Sequence, residues 1–153
     1  MAATSFSRTL TATADAETCW KVLTDVSRVA SWVSIIDDVV ELEPLARYTA
    51  VLTDKVGPFR LRADLSVEVP EVTAPHRIRI VAAGEDRQVA SRIAIDATLE
   101  IADAGTGRAD ISVNGTYAVV GRVASLGAGT IRQKAAKILD EFFTRAGRDL
   151  GAA

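Results

Sequence analysis

The sequence predicts an α+β fold: a curved antiparallel sheet of about seven strands wrapped around one long C-terminal helix, with two short helices after the first strand. Three observations carry this. From Asp38 onward apolar and polar residues alternate with a period of two for about eighty residues. Short turns, never long crossovers, divide that stretch, which requires antiparallel neighbours. A single amphipathic stripe of helical period then closes the chain.

Taken in chain order, Phe6 and Leu10 alternate with Ser5, Ser7, Thr9 and Thr11, giving a first strand over Thr4–Ala12 with Arg8 in the inward phase. Asp15 is placed to cap a helix in which Ala16, Cys19, Trp20, Leu23 and Val26 recur at three- and four-residue intervals. A second short helix holds Val29, Trp32 and Val33. Pro44, Gly57 with Pro58, Ala74 with Pro75, Gly84 to Asp86, and Gly105 to Gly107 mark the turns among the later strands. The clearest strand sets Phe59, Leu61, Ala63, Leu65, Val67 and Val69 against Arg60, Arg62, Asp64, Ser66 and Glu68, so one face is dry and one wet. Ile93 to Ile101 and Ala109 to Val119 repeat the pattern. The last helix is expected over Arg122 to Asp149, gripped through Val123, Leu126, Ile131, Ala135, Ile138, Leu139, Phe142 and Ala146.

Composition bounds the rest. A chain of 153 residues buries roughly 70% of its unfolded surface, so residues 1–153 are expected to form one domain without metal or disulfide staples. Cys19 is the single cysteine, and the first twenty residues lack a secretory pattern, from which a cytoplasmic setting is expected. A net charge of −2 does not suit a general nucleic-acid binder, and no apolar run reaches the length of a membrane span. One Cys and one His cannot complete a zinc site. His76, beside Pro75, reads as a turn residue at the rim and not as the base of a nucleophile pair. No glycine-rich phosphate loop follows a strand and opens a helix.

The dry face is short of volume, with Ala50, Ala63, Ala82, Ala97, Ala109 and Gly115 all in the inward phase. Either the helix approaches the sheet closely there or space is left for a ligand. Gly127 and Gly129 likewise mean a close approach, a bend, a mobile end, or a helix that starts near Thr130. Polar groups in the dry phase are Arg8, Tyr48, Asp54 and Tyr117. The two charges are expected near strand ends in water, the alternative being pairs inside a cavity. The two tyrosines can hydrogen-bond a ligand carbonyl or the backbone. Trp20 reads as core and Trp32 as a gate. The Arg122–Asp149 segment carries six basic and three acidic residues, against twelve and seventeen in the rest, so the last helix is the positive end.

The run KVGPFRLRADLSVEV (Lys55 to Val69) and the run GTYAVVGRVASLGAGTIRQKAAKILDEFF (Gly115 to Phe143) resemble the CoxG family of carbon-monoxide dehydrogenase accessory proteins, within the START-like (SRPBCC) superfamily. The Val-Gly-Pro turn, the Leu126–Gly127 step and the Phe142–Phe143 pair are the most specific parts of a likeness that covers nearly the whole chain. The resemblance implies the helix-grip fold and a deep apolar cavity between sheet and helix. Its expected lining is Trp32, Tyr48, Leu52, Phe59, Leu61, Ala63 and Leu65, then Ile80, Ile93, Ile95, Ala97, Val113 and Tyr117, and from the last helix Leu126 and Ile131. It also implies a non-catalytic accessory role for a molybdenum-containing CO dehydrogenase or related hydroxylase. The expected ligand is a quinone, menaquinone or ubiquinone, with no covalently bound cofactor. A transient visit to the inner membrane face fits that role. Two departures stand out. SWVSIIDD (Ser31 to Asp38) replaces the family's Pro-Gly segment at the cavity mouth, and the sequence shows no tail beyond Gly151, Ala152 and Ala153, so stable anchoring is not expected. The competing readings are a polyketide-cyclase-like enzyme working in the same cavity, and a protein docking module.

Overall fold

A computed structural model describes residues 3–151; Met1, Ala2, Ala152 and Ala153, the last two part of the expectation about a tail, lie outside the described residues. The alternating segments form β1 (Thr4–Ala12), β2 (Ile36–Glu43), β3 (Arg47–Val56), β4 (Phe59–Thr73), β5 (Arg77–Asp86), β6 (Ser91–Asp103) and β7 (Ala109–Gly121). The helices are α1 (Ala16–Leu23), α2 (Val26–Ser31) and α3 (Ala128–Leu150), the last preceded by one 3-10 turn at Val123–Leu126. All seven strands join one antiparallel sheet in the order β1-β7-β6-β5-β4-β3-β2. The first strand therefore lies at one edge and the second at the other, and α1 and α2 carry the chain between them. Asp15 and Asp25 begin these helices by accepting the N–H of Thr18 and Arg28.

Two expected boundaries move. The turn predicted at Gly84 to Asp86 lies later: β5 runs through to Asp86, whose side chain organises the following turn. The single last helix is interrupted at Gly127, where φ is +98°, a conformation that L side chains rarely adopt. Before the break, Val123 is buried and donates its N–H to Ser91 Oγ at 3.0 Å. After it, α3 starts without a side-chain cap.

The interior has two parts. One cluster joins α1, Trp32, the paired ends of β6 and β7, and the C-terminal turns of α3 through Ala146 and Leu150. The second lies on β3, β4 and β6 with Val89 and Val123, and from α3 only Ile131 packs on it. The buried residues of α3 are Ala146, Gly147 and Leu150, all in its last two turns. Polar ties follow the same division. Asp140 pairs with Arg8, Glu141 accepts the Ser34 N–H at 2.7 Å, Arg145 donates to the Ser31 carbonyl, and Thr13 N–H reaches the Leu150 and Gly151 carbonyls. Toward its N-terminus, α3 has among the described residues one polar tie to the sheet, from Lys134 to Asp54.

The small inward residues serve close packing. Ala63 and Ala109 are fully buried, and a Cβ on Gly115 would collide with the Asp96 carbonyl oxygen of β6. Phe6, paired opposite Gly115, meets Tyr117 with ring centroids 6.2 Å apart. Gly129, by contrast, sits in α3 with open space where a Cβ would go. Gly115→Ala is therefore predicted to destabilise by about 1–3 kcal/mol through overpacking, and Gly129→Ala to stabilise by up to about 1 kcal/mol through helix propensity. Urea unfolding midpoints of the two variants check both signs.

Candidate functional site

Under the N-terminal half of α3 the two layers part and leave a cavity of about 230 Å³. Its sheet wall comes from Leu52, Asp54 and Val56 of β3, Leu61 of β4, Ile93 and Ile95 of β6, and Tyr117 and Val119 of β7. Phe6 closes it toward β1, Ile35 enters from the segment before β2, and Val123 from the 3-10 turn. The roof is Ile131, Lys134, Ala135, Ile138 and Leu139, the i, i+3, i+4 face of α3. Almost all of the wall surface is hydrocarbon. Such a site favours an apolar ligand, because the water it holds has few polar partners.

The register explains the cavity's position. Val56 faces Phe59 across the β3–β4 turn, and Ile93 faces Val119, so the lining residues belong to one end of the sheet. That end is shaped by three contacts. Leu126 packs over Gly57, its Cδ1 lying 3.1 Å from where a Cβ would sit, so the Val-Gly-Pro turn and the Leu-Gly step meet there. Ser31 and Ser34 are tied to Arg145 and Glu141, which brings Ile35 to the wall. Asp86, buried, accepts the N–H groups of Arg62, Gln88 and Val89. The Arg62 N–H above all holds the Asp86 carboxyl below the usual carboxylate range, burial acts against it, and the Val89 and Gln88 N–H groups add to the lowering.

Of the residues expected on the wall, Leu52, Leu61, Ile93, Ile95, Tyr117 and Ile131 are brought together there. The others are placed elsewhere. Trp32 is no gate: it is 4% exposed and packs edge-on against Phe142 at 5.4 Å, in the solid cluster below the cavity. Tyr48 is buried and its hydroxyl accepts the Leu45 N–H at 2.7 Å, so it is engaged by the backbone. Ala63 and Leu65 are buried in the sheet-side cluster, with Phe59 and Leu126 packed on its margin. Ile80, Ala97 and Val113 belong to the cluster at the other end, where α1 and α3 cover the strands. His76 is exposed on the β4–β5 turn, its Nδ1 3.0 Å from the Ile101 carbonyl oxygen, at the sheet end away from the cavity.

Both charges of the dry phase are paired: Asp54, two residues from the end of β3, is largely covered, whereas Arg8 and Asp140 are 36% and 61% exposed and pair in contact with water. Arg8 sits mid-strand opposite Val113 and is neutralised by Asp140 of α3. Asp54 is 15% exposed on the cavity wall, 3.0 Å from Lys134 Nζ. The wall residues absent from the expected lining are mostly aliphatic: Phe6, Ile35, Val56, Val119, Val123, Ala135, Ile138 and Leu139, together with Lys134 and with Asp54, for which pairing inside a cavity was the alternative reading. The α3 stripe itself was the available signal, with Lys134 interrupting it one turn after Ile131.

Residues 10–151 match the family model for the G-subunit of carbon monoxide dehydrogenase (CoxG). No curated protein sequence matches the chain. Among solved structures, a conserved protein from Geobacillus kaustophilus superposes with a TM-score of 0.84 at 15% identity, covering 96% of this chain and 95% of that one. A START superfamily protein from Mycobacterium smegmatis gives 0.67 at 13% identity, over 93% and 92%. The ZhuI aromatase/cyclase from Streptomyces sp. R1128 gives 0.65 at 13% identity, over 96% and 95%. At these identities the likenesses establish the START-like helix-grip fold.

Asp86 supplies a test of the cavity-end architecture. Since folding lowers its pKa, its contribution is present above the unfolded carboxylate value of about 3.9 and is lost as pH falls through the lower folded value. Asp86→Ala is predicted to cost about 1–3 kcal/mol at neutral pH and to flatten the acid side of the stability profile, measured by denaturant unfolding between neutral and acid pH.

Proposed function

The chain belongs to the CoxG family, and from that premise we propose that it is a non-catalytic carrier of an apolar redox ligand, a menaquinone or ubiquinone, serving a molybdenum-containing CO dehydrogenase or related hydroxylase. The observation that carries the reading is the cavity: about 230 Å³ with an almost wholly hydrocarbon wall, between a fixed sheet and the less anchored half of α3. Ligand sites usually measure about 300–1,000 Å³, so this one suits a ring and the first part of a chain. A longer prenyl tail would extend beyond the cavity.

The fold also serves an enzyme, the ZhuI aromatase/cyclase. Acid–base work needs polar groups that face each other across a bound substrate. Here the charged groups of the wall, Asp54 and Lys134, face and neutralise one another, which favours a carrier. Among the described residues no helix is long and apolar enough to cross a membrane, so the reading requires passage of the ligand at a membrane surface or to a protein partner.

Protein purified from its native cells is predicted to yield a prenylated quinone on solvent extraction and mass spectrometry. Ala135→Phe, which places a ring in the cavity from the helix side, is predicted to lose at least nine-tenths of that quinone while keeping its circular dichroism spectrum. Extracts repeatedly free of quinone, together with no uptake of added menaquinone, would refute the carrier reading.

A further inference from the structure

Asp54 occupies a position where the alternation of β3, Leu52 and Val56 on either side, calls for an apolar residue. Lys134 interrupts the apolar face of α3 in the same way, between Ile131 and Ile138. The two meet on the cavity wall, with Asp54 Oδ1 accepting both Lys134 Nζ at 3.0 Å and the Lys55 N–H at 2.8 Å. The Lys134 side chain is 35% exposed and that of Asp54 15%, so the pair stands where the hydrocarbon wall meets water, and an ion pair this open adds little stability of its own. The protein meets its hydrogen-bonding capacity only in part. Asp54 Oδ2 has no partner among the described residues, and an ammonium group has three donors of which Asp54 takes one. Stability therefore gives little reason for a salt bridge at this place, and the groups that the protein leaves open are available to water or to a guest at the cavity's rim.

We propose that the Asp54–Lys134 pair is the polar recognition point for the ligand's head, with Lys134 Nζ donating to an oxygen at one end of an otherwise apolar ring and the open Asp54 oxygen accepting from that ring when it carries a hydroxyl. The chemical class selected is an oxygenated ring: a quinone through the lysine, its hydroquinone through both partners. This rests on the carrier reading and adds the residues that choose among apolar guests. Because the pair bridges β3 and α3, it also fixes the head beside the roof while hydrocarbon walls receive the rest.

The test compares two probes by equilibrium dialysis, 2-methyl-1,4-naphthoquinone and 2-methylnaphthalene, the same ring without oxygens. The double variant Asp54→Leu/Lys134→Met removes both charges together and so avoids a stranded buried ion. It is expected to bind the quinone about 10- to 100-fold more weakly, as for one hydrogen bond to a charged group, and the hydrocarbon no less tightly. Lys134→Arg is expected to retain most of the quinone affinity. Quinone affinity unchanged in the double variant, or an equal loss for both probes, would overturn the anchor while leaving the carrier reading intact. Binding of neither probe by the unaltered chain would overturn both.

Discussion

The structure depends on how α3 is fastened. Its last two turns are buried through Ala146, Gly147 and Leu150, its end carbonyls accept the Thr13 N–H, and Asp140, Glu141 and Arg145 tie its middle to β1 and to the segment after α2. Trp32, Phe142 and Phe143 stack edge to face at centroid distances of 5.4 Å and end the solid part of the interior. Such pairs add about 0.5–1.5 kcal/mol each beyond their buried area. Everything on the N-terminal side of Asp140 is held by less: the Asp54–Lys134 bridge, the contact of Ile131, and a 3-10 turn hinged on Gly127. A rod fixed at one end against a curved sheet leaves a wedge at the other, and the wedge is the cavity.

Side-chain size supports this division in an unexpected way. Ala97 and Ala109 lie at the packed end and Gly115 sits opposite Ala97, whereas the hollow is walled chiefly by Ile, Leu and Val. Branched aliphatic walls keep their shape because rotamers are few, and they give bound water little to hold. The cavity follows from where the helix stops covering the sheet, with large residues around it, and not from missing volume in the sheet itself.

The fold was largely legible in the sequence because both of its periods are strong. β1 was placed to the residue by Phe6 and Leu10, and the burial of β4 alternates from Phe59 to Val69 as its pattern requires. The errors were local and physical: Asp86 draws three N–H groups and so moves a turn past Gly84, and Gly127 breaks a stripe that hydrophobicity alone would continue. The site was less legible. Alternation reveals which side chains face inward, but not how far along each strand the helix lies close, and that distance separates Ala97 and Val113 in the packed end from Ile93 and Val119 at the hollow. Trp32 was misplaced for a related reason, since its neighbour Phe142 lies 110 positions away in the chain and no local pattern announces the contact.

A dry, ligand-sized hollow under the N-terminal half of α3 is open to direct observation. Diffraction from crystals held under xenon pressure tests it most directly, since xenon enters empty apolar cavities and ignores solid or water-filled polar ones. An ordered anomalous peak is expected between Leu61, Ile93 and Val119 on the sheet side and Ile131, Ala135 and Ile138 on the helix side. No peak there, with side chains of α3 filling the space, would contradict it.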